Sequence, residues 1–322
     1  MISTGNEWRE ERTVLLAVVC AVIGLCPGQA LAADEGPNIC GKTTRQLLKA
    51  CRLQADDDAR VGTAICLNLS DGQASEDCKI ATQEARSEAL AKCRDVREAR
   101  DEVCADFGPG PYDPVIDPAN FVSEITNPYA PFRPGAFWEY KKQTAEGLEE
   151  IRVEVLDETR EILGVTVTTL RDTVTLAGEV IEDTIDWVAQ DVDGNVWYFG
   201  EISKNFEDGL LANLDGSFEA GKDGAKPGIL IKARPQVGEV YRIEYALSNE
   251  AEDIAEVLSL DATDTDVPFS EEGSGPVLKT LDTTPLSPVA EEHKYYVPGI
   301  GFVLEVDPET GERLELVDFG PR

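Results

Sequence analysis

The chain contains a single histidine, His293, and that scarcity removes most schemes in which an imidazole activates a serine or cysteine nucleophile. Other enzyme signatures are missing as well: there is no G-x-S-x-G, no P-loop, no G-x-G-x-x-G after a strand and no H-E-x-x-H. His293, beside Lys294, Tyr295 and Tyr296, reads as an exposed strand residue rather than a catalyst. No cofactor is expected.

Positive charge is the second shortage. The chain has 29 Lys and Arg against 62 Asp and Glu, a net charge of −33. Residues 107–322 alone hold sixteen basic and forty-four acidic side chains. Such a surface repels phosphate backbones and anionic lipid heads, which excludes nucleic acid and bare membrane as natural partners. Cations, basic envelope proteins or an unknown small molecule fit better. Solubility, or life in a salty medium, explains the acidity equally simply.

Long apolar runs are the third shortage, and the single run present is short. Arg9 and Arg12 precede an apolar stretch from Val14 to Leu25, and Ala30-Leu31-Ala32 has the small-x-small form of a signal-peptidase site. Roughly twelve apolar residues are too few for a bilayer that needs about twenty. Residues 1–32 are therefore expected to be a signal peptide, and the protein exported to the periplasm or beyond, with no membrane span after cleavage. Lipid attachment at Cys26 is disfavoured, because Leu25 is bulky where a small residue normally precedes the cysteine.

What the chain does have is a pattern of cysteines. After Cys20 and Cys26, six remain at 40, 51, 66, 78, 93 and 104, with separations of 11, 15, 12, 15 and 11. The spacing is a palindrome, and 11 and 15 lie close to whole helical turns. In an antiparallel helical hairpin, facing residues share a constant index sum. Here Cys40 with Cys104, Cys51 with Cys93 and Cys66 with Cys78 all sum to 144. Sequence alone normally leaves fifteen connectivities for six cysteines; this symmetry selects one. Zinc is disfavoured, since the short C-x₂₋₄-C pairs of zinc sites are absent. A small-residue stripe, including Ala81, Ala85 and Ala89 on the second helix, lets the helices approach. The same sum sets Asp58 opposite Arg86 and predicts an ion pair between them. The hairpin is expected over residues 37–107, held by its disulfides because its own core is small.

Residues 108–134 are rich in proline but keep aromatics such as Tyr112, Phe121, Tyr129 and Phe132. An ordered connector is expected, with a short helix begun by Asp117 and Pro118. From residue 135 to 322 the pattern becomes period two, as at Ile151, Val153 and Val155. Roughly ten to twelve strands are expected, joined by hairpins into an antiparallel sheet that curls into a half-barrel or barrel to protect its edges. The fold class is thus α+β, a disulfide-stapled antiparallel helical hairpin followed by a larger acidic β domain.

The most specific stretch is Glu182 to Glu201, EDTIDWVAQDVDGNVWYFGE. Asp193-Gly194 reads as a two-residue type I′ turn, which makes facing residues sum to 387. Trp187 then faces Gly200, Val188 faces Phe199, Gln190 faces Trp197 and Asp186 faces Glu201. Two carboxylates directly opposed are destabilising unless they share a proton, bind a cation or point into water. Asp186, Glu201 and Glu182, bordered by Trp197 and Phe199, are the candidate binding residues, suited to a cation or a sugar; on the simpler alternative they face solvent. The Asp191-x-Asp193-Gly-Asn195 run lacks the downstream acidic ligand of a calcium loop, since position 202 is Ile. No metal site is expected.

The segments NPYAPFRPGAFWEY, DWVAQDVDGNVWYFGE, GSFEAGKDGAKPGI and HKYYVPGIGFVLEV together resemble a family of exported bacterial proteins without assigned function, over most of residues 110–318. The closing YYVPGIGFV is also similar to curved-sheet carrier lipoproteins of the cell envelope, which implies a half-barrel that binds lipids or apolar ligands. Three functions follow as expectations. A non-catalytic binding or carrier protein should show an apolar cavity with few charges. A structural or protein-interaction component of the envelope should show a filled sheet and an exposed aromatic patch. A carboxylate-dependent hydrolase should show two converging buried acids, one with a raised pKa.

Overall fold

The structure, a computed structural model, describes residues 38–321; the expected signal peptide lies outside the described residues. Two helices come first, α1 (Ile39–Leu67) and α2 (Gly72–Phe107). Asp71 begins α2 by accepting a hydrogen bond from the Ala74 amide at 2.7 Å, which satisfies one of the free N–H groups of a helix start. The helices run antiparallel and are joined by the three nested bridges, Cys40–Cys104, Cys51–Cys93 and Cys66–Cys78, with Cα separations of 5.7, 5.8 and 5.5 Å. Ala55, Ala59, Cys66, Cys93 and Val96 are buried along the seam. A Cβ on Gly62 would lie 2.8 Å from the Thr82 methyl, so the close approach depends on that glycine.

The cross-helix ion pair is Arg86 with Asp56, not Asp58. Arg86 Nε and Nη2 both donate to Asp56 Oδ1, at 2.8 and 2.6 Å, while Asp58 accepts from Gln54 on its own helix. The index sum sets height along the seam but not the flank. At about 100° per residue, Asp58 and Arg86 fall on opposite sides of the contact line, whereas Asp56 shares the side of Arg86.

Sixteen strands follow among the described residues. They are β1 (Phe121–Val122), β2 (Phe137–Gln143), β3 (Leu148–Ile162), β4 (Val165–Leu176), β5 (Glu179–Asp191) and β6 (Val196–Glu207). Next come β7 (Leu210–Asn213), β8 (Phe218–Glu219), β9 (Lys226–Ile231), β10 (Val240–Arg242) and β11 (Glu244–Tyr245). The last are β12 (Ile254–Ser259), β13 (Leu278–Thr283), β14 (Glu291–Val297), β15 (Gly301–Val306) and β16 (Arg313–Gly320). Eleven of these run six residues or more; the others, two to four residues long, are too short to show period two in a sequence.

All of them pair antiparallel in one sheet; thirteen follow the order β10-β12-β13-β14-β15-β16-β2-β3-β4-β5-β6-β9-β11, while β1 pairs with β5, and β7 and β8 pair with β6. The ladder of β16 with β2, from Leu314 opposite Lys142 to Gly320 opposite Phe137, joins the two meanders. The sheet is thereby rolled into a nearly closed barrel with one unsealed seam, between β10 and the edge formed by β9 and β11. Curling leaves few free strand edges, as a long antiparallel meander requires.

The connector is ordered and lies on this barrel. A single 3₁₀ turn, Pro118–Asn120, is capped by Asp117, which accepts from the Ala119 amide at 3.0 Å. Phe121 then packs edge-on against Phe199 and Trp197, with ring centroids 5.5 and 6.3 Å apart. Further on, Gln190 Oε1 accepts from the Thr126 and Asn127 amides at 2.7 and 2.8 Å. The helical hairpin docks on the sheet through a buried ion pair, Arg100 with Glu252. Among the described residues no helix is long and apolar enough to cross a membrane.

Candidate binding site in the barrel interior

The β5–β6 hairpin differs from its expected form at two points, and the differences cancel. The loop is not a type I′ turn: Gly194 has φ +90° while Asp193 does not enter the left-handed region. Asp191 and Asn195 face each other across three residues, with the Asp191 amide donating to the Asn195 carbonyl at 2.9 Å and the Gly194 amide to the Asp191 carbonyl at 3.0 Å. Asp191 holds this wider loop with its carboxylate, which accepts from the Asn195 amide and Nδ2 at 2.9 Å and from Trp197 Nε1 at 2.8 Å. Near the loop, therefore, Val188 faces Tyr198, Ala189 faces Trp197 and Gln190 faces Val196; the expected Val188–Phe199 and Gln190–Trp197 pairs are not formed.

A bulge between Trp187 and Val188 restores the register. Phe199 is the extra residue, and beyond it Trp187 faces Gly200, Asp186 faces Glu201 and Glu182 faces Asn205. Gly200 has φ +138°, and a Cβ there would sit 2.2 Å from the Phe218 carbonyl oxygen of β8. Only glycine satisfies both conditions.

Alternation along β5 then sorts the side chains. Ile185, Trp187 and Ala189 point outward, into a cluster with Phe199, Trp197, Val167 and Phe121 beneath the connector. Glu182, Thr184, Asp186 and Val188 point into the barrel, where Val188 joins Leu170, Tyr198 and Tyr241 in the larger core. The five candidate residues are thus divided by the sheet. Asp186, Glu201 and Glu182 are together on the inner face; Trp197 and Phe199 are on the outer face.

The aromatic group that does touch the acids is Tyr198, whose hydroxyl donates to Asp186 Oδ1 at 2.5 Å. Glu182 accepts from Thr184 Oγ1 at 2.7 Å and from Ser203 Oγ at 3.2 Å. Burial raises the Asp186 carboxyl to about 6, opposed by the Tyr198 hydrogen bond and assisted by the Glu182 charge. Burial raises Glu201 further, with Asp186 and Glu182 adding to the effect. Raising both carboxyls, Glu201 more than Asp186, favours one protonated and one ionised group at neutral pH, which relieves the repulsion of the facing pair. Both residues keep partial contact with solvent although protein surrounds them.

Other acids extend the patch. Asp172 on β4 is raised by burial and by Asp186 and Glu182, and its Oδ1 has no hydrogen-bond partner. Glu244 is raised by burial and by the charges of Asp253, Glu201 and Asp186; Asp253 is raised by burial. The positive group among them is Lys294 on β14, which pairs with Glu292 at 3.0 Å, Asp282 at 3.3 Å and Glu305 at 3.8 Å. Tyr140, Tyr198, Tyr241 and Tyr296 stay neutral there, since burial pushes every one of these phenols upward. This part of the interior gathers carboxylates and phenols around an ammonium group that is already engaged. Among the described residues no three His, Cys, Asp or Glu side chains are placed to hold a metal ion.

His293 is half-buried, opposite Leu281 and on the other side of β14 from Lys294, its pKa lowered by burial and then by Lys279. Tyr198, Asp172, Glu244 and Lys294 were not singled out by sequence. For Asp172 a signal existed, because it takes the inward parity of Leu170 and Val174. No protein-family model, curated protein or solved structure matches the chain.

Proposed function

We propose that the chain is an exported, non-catalytic binding protein whose barrel interior holds a small organic cation. Three disulfides are the mark of an oxidising compartment outside the cytoplasm; the expected signal peptide and the resemblance to exported and envelope carrier proteins support export to the periplasm or beyond. The observation that carries the ligand class is the Asp186–Glu201 pair with Tyr198, surrounded by Glu182, Asp172 and Glu244 and short of positive charge. An ammonium group placed there would replace the proton that the raised carboxyls hold and meet phenol rings at the same time. Charges at this density do not favour the lipid or apolar cargo that the carrier resemblance implies.

Native mass spectrometry of the protein from its own host tests this directly, and a copurified basic small molecule is the expected result. Calorimetry with spermidine, glucose and palmitate as probes should show heat of binding with the amine alone. Binding of palmitate in preference to spermidine would overturn the ligand class.

One observation favours a second reading. Asp186 and Glu201 are converging acids with unequal proton affinities, the arrangement a carboxylate-dependent hydrolase uses. Turnover of a glycoside panel by the wild type, lost in both D186N and E201Q, would establish it; absence of turnover leaves the binding role.

A further inference from the structure

A cavity of about 220 Å³ opens where the helical hairpin meets the barrel. Its walls combine apolar side chains of the hairpin, Leu47, Val103 and Phe107, with Arg100, Arg242 and Glu252. Glu252 is fully committed: Arg100 Nε donates to its Oε2 at 3.1 Å and Arg100 Nη2 donates to Oε1. That fork neutralises Arg100 and Glu252 against each other.

Arg242 is left over. It is only 6% exposed, and its Nε and Nη1 have no acceptor. Among the described residues it has no ion-pair partner. Three rings surround its guanidinium instead, Phe107 at 4.7 Å, Tyr245 at 4.9 Å and Tyr112 at 5.4 Å. Tyr112 supplies no negative charge, because burial raises its phenol to about 12 and its hydroxyl donates to the Pro227 carbonyl at 2.9 Å. Rings stabilise a cation through their faces, but they supply no acceptors for its N–H groups, and a buried guanidinium without acceptors is costly. The first turn of α1 and the last turn of α2 both border the cavity, so their opposite end charges largely offset each other. The local balance is one uncompensated positive charge, in a chain whose net charge is −33.

We infer that this cavity binds a small organic monocarboxylate, its anionic head against the Arg242 guanidinium and its apolar body against Leu47 and Val103. A carboxylate matches the planar fork of an arginine, and one negative charge completes the balance. Inorganic phosphate would bring more charge than the site lacks and would leave the apolar wall unused. The volume lies below the roughly 300–1,000 Å³ of drug-sized pockets, so the ligand is compact, of the size of an aromatic or short branched-chain acid. An occupant would also touch both the hairpin and the sheet.

Calorimetry on the disulfide-intact protein tests the inference with benzoate as probe and benzyl alcohol, benzylamine and inorganic phosphate as controls. Benzoate should bind at least about tenfold more tightly than any control, a difference of about 1.4 kcal/mol. R242M should abolish benzoate binding, and R242K should weaken it by about tenfold, since lysine keeps the charge but loses the fork. V103W, which fills the cavity and leaves Arg242 in place, should abolish it as well; this variant decides the matter if R242M does not fold. Equal binding of benzoate and benzyl alcohol, phosphate binding as tightly as benzoate, or undiminished benzoate binding by V103W would each overturn the proposal. So would a wild type that binds none of the four.

Discussion

Asp186 and Glu201 face each other on the inner surface of the barrel because a three-residue loop and a bulge at Phe199 shift the β5–β6 register by one residue each, in opposite directions. Remove either shift and one of the two acids would turn outward. The pair is thus a consequence of two local irregularities acting together, and its proton affinity can be measured.

The first prediction concerns pH. Burial raises Asp186 to about 6 and raises Glu201, Glu244, Asp253 and Asp172 as well. A raised carboxyl binds protons more tightly in the folded than in the unfolded chain. Its contribution to stability is complete below the unfolded pKa, near 4, and is lost as pH rises through the folded value. Acids lowered in the fold, such as Asp183, Asp264 and Glu292, act at the other end, weakening the fold only below about pH 4–5. Melting temperature should therefore rise as pH falls from 8 to 5, and D186N should flatten that slope. A melting temperature that falls steadily from pH 8 to 5 would contradict the assignment.

Tyr198→Phe isolates the hydrogen bond. Its hydroxyl favours the ionised form of Asp186, so its loss should move the Asp186 carboxyl above about 6, read by carbon-detected NMR titration. Stability should fall by about 1–3 kcal/mol at pH 8, the usual range for a bond to a charged acceptor. An unchanged titration would mean that the hydroxyl does not act on Asp186.

Gly200→Ala tests the bulge. The new methyl would meet the Phe218 carbonyl at 2.2 Å with φ at +138°, and a loss of at least about 2 kcal/mol is expected in urea unfolding. Tolerance of alanine would show that β8 does not approach β6 so closely.

The Arg100–Glu252 fork is buried at both ends, with side-chain exposures of 12% and 4%. Removing one partner, as in R100M or E252Q, should cost about 3–5 kcal/mol, because the other charge is left alone in a poorly solvated site. The double variant R100M/E252L should recover most of that loss in thermal melts. Additive losses would show that the two residues do not depend on each other.

How far the sequence reveals this structure differs from element to element. The hairpin is legible in full because helices of fixed pitch turn cysteine spacing into geometry, and three equal index sums leave no freedom. Its ion pair is less so, since choosing between Asp56 and Asp58 requires knowing the flank as well as the height. In the sheet, period two shows the long strands and the inward parity of Asp186. Bulges are invisible at that level: the outward turn of Trp197 and Phe199 and the involvement of Tyr198 depend on one inserted residue that no composition rule announces. Arg242 is harder still, because two of the three rings around it, Phe107 and Tyr112, come from a segment far earlier in the chain.

The ladder of β16 with β2 carries a consequence for assembly. It joins residues about 175 positions apart, whereas the helical hairpin closes on contacts between neighbours in sequence. Folding rates fall as such distant pairings come to dominate. A chain delivered from its N-terminal side can complete the hairpin while most of the sheet is still arriving, but the wall of the barrel stays open until Arg313–Gly320 docks. Until then the acids of the interior remain in bulk water and fully ionised. Closing the barrel is therefore the step at which protons are taken up, and refolding rates should increase with acidity over the same pH range in which the folded protein gains stability.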